Sequence, residues 1–213
     1  MGIDLIAAQA AAKLRRHHES LLSPVGMVTR DAHQRSEHTI VEAVEHRTQD
    51  MRTAVVRSIA DAEDRAKQAA QFLSDWVTYK APVRMVGYGS GRAALAVPAH
   101  RLAALGACVY LQDGPVPLPG PLRGGSLIAV CIDDDGCRQV ALEVEVARRS
   151  NRELQIVGLS ASESEAFAEY CDVFMPLVLP AAGGAASLPQ VVVGILDVLI
   201  AHAVGLATGA APR

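Results

Sequence analysis

The stretch Val83-Arg84-Met85-Val86-Gly87-Tyr88-Gly89-Ser90-Gly91-Arg92 decides the fold of this chain. Its largely apolar start, residues 83–86, predicts a buried strand, which three glycines within five residues then break. The Ala- and Leu-rich residues 93–105 that follow have helical composition. A strand, a glycine turn and a helix in this order point backbone N–H groups and a helix N-terminus at a ligand, usually an anion. A tight turn with no ligand is an equally good interpretation of the three glycines alone.

Composition excludes several classes of protein. Half of the 213 residues are hydrophobic and only 4% are aromatic, so we expect a sizeable core of Ala, Val and Leu. The net charge of -3 and the pI near 6.2 argue against nucleic-acid binding. The first residues lack the basic and apolar regions of a signal peptide. The most apolar stretch, 188–203, contains Gln190, Asp197 and His202, so we expect no membrane span.

Neither the glycines nor the cysteines match a nucleotide, metal or redox motif. The third glycine comes too early for a dinucleotide fingerprint, and no Gly-Lys-Ser/Thr follows, as a Walker A loop requires. No cofactor is predicted. The cysteines have no Cys-x-x-Cys spacing, so we expect four reduced thiols in a cytoplasmic protein. They are Cys108, Cys131, Cys137 and Cys171.

The first part of the chain predicts a helical arm, residues 1–80. Within residues 29–78 an apolar stripe recurs at helical spacing, and charged residues occupy the opposite face. One helix of that length would exceed a small domain, so we expect a break near residues 47–50 or packing on another subunit. His38, Glu42 and His46 share a face at four-residue spacing, which we interpret as a solvated polar face rather than a metal site.

Residues 81–213 predict an α/β domain, because short apolar runs alternate with helical segments after Pro82. Strands without polar alternation are buried on both faces, which favours a parallel sheet covered by helices, a three-layer αβα sandwich. Ligands of such folds bind at the carboxyl ends of the strands. The predicted strands are 83–86, 107–111, 126–132, 154–159 and 173–177. The predicted helices are 91–105, 138–150, 161–170 and 187–206, with an irregular loop at 112–125.

The stretch from residue 83 to about 177 resembles the SIS (sugar isomerase) domain, closest to the 6-phospho-3-hexuloisomerase and phosphoheptose isomerase types. The resemblance rests on the order and spacing of four pieces. They are Val86-Gly87-Tyr88-Gly89-Ser90-Gly91, Arg101-Leu102 before Leu105-Gly106, Leu127-Ile128-Ala129-Val130, and Ser160 followed by Ser164 and Cys171-Asp172-Val173. The resemblance implies a five-stranded parallel, flavodoxin-like sheet and homo-oligomers, either dimers or tetramers. It also implies phosphosugar ligands, whose phosphate is held by two serine-bearing loops.

This sequence departs from that family pattern at three places. The first-loop serine of the family falls on Gly91, although Ser90 is adjacent. The second loop, Cys131-Ile132-Asp133-Asp134-Asp135-Gly136-Cys137, has three carboxylates and neither Ser nor Thr. The glutamate proposed as the base of the hexuloisomerase type is matched by Gln190, whose amide cannot take a proton from a sugar carbon. The aspartates could cap the following helix, form an altered ligand site or hold a metal.

The sequence therefore predicts a SIS-type protein that binds a carbohydrate derivative or another small molecule, with isomerase chemistry lost or altered. An active sugar-phosphate aldose–ketose isomerase is one alternative, and an enzyme on an unphosphorylated or cationic substrate is another. No catalytic residue is assigned, because no candidate base matches a family position; the candidates are His38, Glu42, Glu45, His46, His100 and His202. The predicted ligand-binding residues are Gly87, Gly89, Ser90, Gly91, Arg92, Asp133, Asp134, Asp135, Ser160 and Gln190.

Overall fold

The predicted parallel sheet is present in the structure, a computed structural model that describes residues 24–79, 81–112, 125–161, 165–181 and 187–209. All strands pair in parallel, in the order β2-β1-β3-β4-β5. They are β1 Val83–Gly87, β2 Val109–Leu111, β3 Ser126–Cys131, β4 Gln155–Ser160 and β5 Val173–Pro176. Every residue of β1 and β3 is buried, including the charged Arg84 in the otherwise apolar start of β1. The five strands predicted from the sequence are thus confirmed.

Helices cover both faces of this sheet. The described helices are α1 Pro24–Ala60, α2 Glu63–Tyr79, α3 Ser90–Ala104, α4 Asp134–Ser150, α5 Glu165–Ala168 and α6 Leu188–Thr208. One face packs on α2, α3 and α6, through side chains such as Leu73, Leu95 and Ile195. The other packs on α4 and α5, through Val140 and Phe167. This confirms the three-layer sandwich.

Three sequence expectations concern regions that the structure describes only in part. The predicted helix at 161–170 corresponds to α5, which covers four residues, and residues 162–164 lie outside the described part of the chain. Most of the predicted irregular loop, residues 113–124, also lies outside it. The same is true of the first 23 residues of the predicted arm.

The chain divides into two compact units after Thr48, whereas the sequence predicted a boundary at residues 80/81. The second unit, Gln49–Arg213, holds the sheet. It includes α2 because an alanine-rich face of that helix is buried in the core, at Ala66, Ala69 and Ala70. The predicted break near residues 47–50 is wrong. These positions contain neither glycine nor proline, and α1 continues to Ala60 before the chain turns.

The last helix, α6, is the centre of one helical layer and packs on both α2 and α3. It is the one described helix that is long and apolar enough to cross a membrane by length and composition. In the structure, eight of its side chains are buried in the core of the domain. Gly194 also permits a close approach to the last part of α1, because a methyl group added there would lie 2.8 Å from Val55 Cγ2.

Arg148, near the end of α4, ties that helix to the segments before β4 and β5. Its side chain is 23% exposed and donates to main-chain carbonyl oxygens and to one carboxylate. The acceptors are the carbonyl oxygens of Arg152 (3.2 Å), Leu154 (2.9 Å) and Tyr170 (3.2 Å), and Asp172 Oδ2 (2.6 Å). Asp172 Oδ2 also accepts the main-chain N–H of Ile156 at 2.7 Å. The Cys-Asp-Val piece of the family resemblance therefore has a structural role in this chain.

Candidate functional site

The order of the strands brings two predicted loops together. The chain adds β2 on one side of β1 and then crosses back to add β3 on the other side. The strand order therefore reverses between β1 and β3. Open parallel sheets bind ligands at the carboxyl ends of the strands at such a switch point. The glycine loop after β1 (residues 87–92) and the acidic loop after β3 (residues 132–136) meet there. A methyl group added at Gly136 would lie 3.4 Å from Tyr88 Cβ.

The carboxylate of Asp133 lies on the glycine loop. Its Oδ2 accepts the main-chain N–H of Ser90 at 3.4 Å, and its Oδ1 accepts the hydroxyl of Ser90. Asp133 precedes α4, yet its side chain makes no capping hydrogen bond to that helix. The capping interpretation is therefore wrong for Asp133. The side chain reaches across to the beginning of α3 instead, where the helix N-terminus favours a negative charge.

The other N–H groups at the beginning of α3 also have acceptors within the chain. Gly91 and Arg92 donate to the carbonyl oxygen of Tyr88, at 3.0 and 3.4 Å. Ala93 donates to the carbonyl oxygen of Gly89 at 3.3 Å. The sequence predicts that this loop binds an anion through its N–H groups. In the structure these N–H groups already donate hydrogen bonds within the chain, and the N–H of Ser90 donates to the carboxylate of Asp133.

Two of the three glycines are required by the turn itself. Gly89 has a φ of +55°, a left-handed conformation that glycine adopts without steric cost. A methyl group added there would also lie 2.7 Å from Asp133 Oδ2. At Gly87 the added methyl would lie 2.9 Å from the main-chain carbon of Gly91. The glycine motif is therefore explained by a tight strand-to-helix turn and by the close approach of Asp133.

Tyr88 and Glu143 form a pair beside this site that the sequence analysis missed. The Tyr88 hydroxyl donates to Glu143 Oε1 at 3.2 Å, joining the glycine loop to α4. Burial raises the pKa of Tyr88 above its usual value, and the negative charge of Glu143 and the hydrogen bond to it add to this shift. Nothing in the sequence indicates the pair, because Glu143 resembles any other polar position of an amphipathic helix.

The cysteines that flank the acidic loop correct another expectation. Cys131 and Cys137 form a disulfide, with Cα atoms 4.8 Å apart, so the prediction of four reduced thiols is wrong. The turn from β3 into α4 brings the two residues together although their spacing matches no familiar motif. Cys108 and Cys171 are free thiols. Burial raises the pKa of Cys171 to about 12, which makes this thiol a poor nucleophile.

The remaining predicted ligand-binding residues follow the strand ends or begin helices, and Ser160 pairs with Cys131 at the edge where the two loops meet. Arg92 is exposed in the first turn of α3, and Gln190 is exposed in the first turn of α6. Ser160, the last residue of β4, is buried. Asp134 and Asp135 begin α4, and their side chains are outside the described part of the structure.

Potential bases and metal ligands lie elsewhere on the helices. Glu42, Glu45 and His46 are exposed on α1, in the first unit. His100 is exposed on α3, and His202 is half-buried on α6. Within the described ranges, no group of three His, Cys, Asp or Glu residues is placed to hold a metal ion.

Comparison with known proteins identifies the fold. No protein-family model matches the chain, and no curated protein sequence matches it. Among solved structures, the sugar isomerase domain of an RpiR transcription factor from Sphaerobacter thermophilus is similar, with a TM-score of 0.58 and 15% identity over 79% of this chain and 92% of that one. A Methanococcus jannaschii protein, whose structure was used to infer a 3-hexulose-6-phosphate isomerase function, gives 0.56 and 14% over 81% and 98%.

A third similar structure, the Vibrio vulnificus NanR protein complexed with ManNAc-6P, gives a TM-score of 0.50 and 16% identity over 76% of this chain and 66% of that one. The architecture that supports these alignments is the five-stranded parallel sheet between two layers of helices. The resemblance stated from the sequence is thereby confirmed as a likeness of fold. The chain has the fold of the SIS (sugar isomerase) domain.

Proposed function

We propose that this protein binds a carbohydrate derivative at the switch point of the sheet and does not catalyse aldose–ketose isomerisation. The observation that carries the proposal is that the carboxylate of Asp133 accepts hydrogen bonds from the main-chain N–H and the hydroxyl of Ser90. Similar structures include one used to infer a 3-hexulose-6-phosphate isomerase function and one complexed with ManNAc-6P, which supports a carbohydrate as the class of ligand. The altered loop argues that the phosphate is not the anchor here.

The position of Asp133 disfavours a phosphate for two reasons. A phosphate at the glycine loop would have to displace the carboxylate from Ser90, because both anions need the same donors. The displaced carboxylate would then repel the phosphate by about 1 kcal/mol at 4 Å in water-like screening, and by about 4 kcal/mol near a protein surface. Sugar hydroxyls can donate to this carboxylate, so an unphosphorylated sugar fits the same position without the penalty.

The proposal of lost catalysis rests on the missing base. Isomerisation needs a group that removes a proton from a carbon next to the carbonyl. Gln190, at the position matched to the family glutamate, is an amide and cannot do so at neutral pH. We therefore expect binding without turnover.

Titration and an isomerase assay test this function. In calorimetric titrations, we expect fructose or glucosamine to bind more tightly than fructose 6-phosphate or glucosamine 6-phosphate. In a coupled assay with either phosphosugar, we expect no isomerisation above the rate without protein. A clear turnover of any phosphosugar would replace this proposal with that of an active isomerase.

The same titration addresses a second candidate function, an enzyme that acts on an unphosphorylated or cationic substrate. The exposed carboxylate of Asp133 at the glycine loop favours it, because a carboxylate can anchor an ammonium group. Tight binding of glucosamine, followed by its consumption in a product analysis, would support this candidate. Binding without consumption supports the non-catalytic proposal.

We also propose that the protein is cytoplasmic and that two copies associate through the first unit. Of the described side chains there, Ile40, Val41 and Val44 are aliphatic and exposed, Val44 by 59%. Exposed apolar patches of this kind mark interaction surfaces. A second copy is the simplest partner, since the same patch on both chains can pack about a twofold axis.

Sedimentation tests this association. The wild-type chain should sediment as an oligomer, and Val44→Glu should shift it towards the monomer, because the buried carboxylate would be unpaired in the interface. Leu142→Glu is the matched control, because Leu142 is 62% exposed on α4 and lies outside the first unit. A monomeric wild-type protein would contradict the proposal, and so would equal dissociation by the two variants.

A further inference from the structure

We infer that the Cys131–Cys137 disulfide is a redox latch that holds Asp133 on the glycine loop, so that the oxidised protein binds anions more weakly than the reduced protein. The disulfide and the Asp133–Ser90 contact belong to one short loop. Cys131 ends β3, Cys137 lies in the first turn of α4, and the cross-link closes a ring with a sequence separation of six. The inference rests on the proposed function in using the same strand-end site and the proposed cytoplasmic location.

The two ends of the ring are fixed differently. At Cys131 the sheet supplies the anchor, because the carbonyl oxygen of Cys131 accepts the N–H of Ala161 at 3.0 Å. At Cys137 the N–H donates to the carbonyl oxygen of Asp133 at 2.9 Å, a single turn of helix. The disulfide joins this helical end to the sheet. A cross-link across so short a ring removes conformational freedom from the residues between, and Asp133 is one of them.

Reduction by a protein dithiol or a small dithiol opens the latch. A thiolate of the reductant attacks the sulfur of Cys137, which is 8% exposed, whereas Cys131 is 1% exposed. Cys131 leaves as a thiolate and takes up a proton. The second thiol of the reductant then attacks the reductant's sulfur in the mixed disulfide, and Cys137 leaves as a thiolate, which the helix N-terminus stabilises. Two electrons pass to the cysteines, one proton of the dithiol goes to Cys131 and the other to solvent, and the dithiol becomes a disulfide.

Opening the ring changes the competition at Ser90. In the oxidised form the loop keeps Asp133 close, so the carboxylate acts as a tethered anion at a high effective concentration. In the reduced form the same residue has more conformations available, and its hold on Ser90 weakens. An external anion then gains the N–H and hydroxyl of Ser90 more often. In a cytoplasmic protein a disulfide is usually transient or redox-sensing, which agrees with a latch rather than a permanent brace.

The test compares the two redox forms of the full chain with inorganic phosphate as the probe. Alkylation of the unfolded protein followed by mass measurement should find two modified cysteines in the oxidised form and all four after reduction. Calorimetric titration should then show that phosphate binds the reduced form about fivefold more tightly, the equivalent of one weakened contact between anions. Cys137→Ala should bind phosphate like the reduced wild type under both conditions. Cys108→Ala, which removes an exposed thiol outside the loop, should keep the full redox response.

Four modified cysteines in the air-oxidised protein would overturn the latch. Equal phosphate affinity of the two redox forms would also overturn it, and so would an absence of phosphate binding in both. The wild-type comparison decides the matter even if Cys137→Ala does not fold. Failure of the latch is distinguishable from failure of the proposed function, because the sugar titrations and the isomerase assay compare different ligands in one redox form, whereas the latch test compares one ligand between the two redox forms.

Discussion

Replacing Arg148 by methionine should lower the free energy of unfolding by about 3 kcal/mol, because several acceptors lose a charged donor at once. The methionine keeps much of the length of the side chain and so leaves its packing largely intact. The carbonyl oxygens of Leu154 and Tyr170 would lose their guanidinium partner, and Asp172 would lose its counter-charge. Urea denaturation followed by the fluorescence of Trp76, the single tryptophan and a buried one, measures the change.

The neighbouring residue gives a matched control for this variant. Arg149 is 77% exposed and pairs with Glu145 one helical turn away, so Arg149→Met should cost less than about 0.5 kcal/mol. The loss of stability in Arg148→Lys should lie between those of Arg148→Met and Arg149→Met. An ammonium group keeps the charge but cannot reach all the acceptors that the forked guanidinium reaches. Equal loss of stability in the two methionine variants would contradict the structural role of Arg148.

Replacing Asp133 by serine should strengthen the binding of sugar phosphates by about tenfold to a hundredfold, the range that loss of one nearby negative charge predicts. The substitution removes the carboxylate from Ser90, frees the N–H and hydroxyl that it occupies, and adds a hydroxyl of its own. We expect no isomerase turnover in this variant, because Gln190 still supplies no base. Calorimetric titration with fructose 6-phosphate and a coupled isomerase assay measure the two outcomes.

Two further variants separate charge from shape. Asp133→Asn keeps an oxygen that can accept a hydrogen bond from Ser90 but removes the charge. Its affinity for sugar phosphates should therefore rise by less than that of Asp133→Ser. Asp61→Ser makes the same change in charge in the exposed turn between α1 and α2, and it should leave the affinity unchanged. If the affinity for fructose 6-phosphate rises no more in Asp133→Ser than in Asp61→Ser, the carboxylate on the glycine loop does not control phosphate binding.

The strands and their direction could be predicted from the sequence because the decisive signals are local. Apart from Arg84, the run at residues 83–86 is apolar, which favours a strand buried on both faces. The limits of the core were harder to predict. An alanine face on α2 resembles the face of any exposed helix until it meets a partner, so the sequence assigned α2 to the arm. Its true environment depends on α6, far along the chain.

The details of the site depend on contacts between distant residues. Asp133 and Ser90 are 43 positions apart, and nothing local distinguishes an aspartate that caps its own helix from one that reaches another loop. The disulfide depends equally on a turn whose geometry the spacing of Cys131 and Cys137 does not encode. The sequence did identify the two loops, because the strand ends follow from the fold. It could not say which atoms meet between them.

The packing of α2 on α6 has a consequence for synthesis on the ribosome. The alanine face of α2 finds its partner only after α6 has emerged, because α6 is the last helix described in the chain. About 110 residues separate the end of α2 at Tyr79 from the beginning of α6 at Leu188, which corresponds to about 10 s of translation at ordinary rates. The strands are synthesised one after another during that interval, and the nascent chain still lacks the helix that completes the cover of one face of their sheet. Chaperones that hold unfinished chains should therefore engage this protein late, and release should follow completion of its C-terminus.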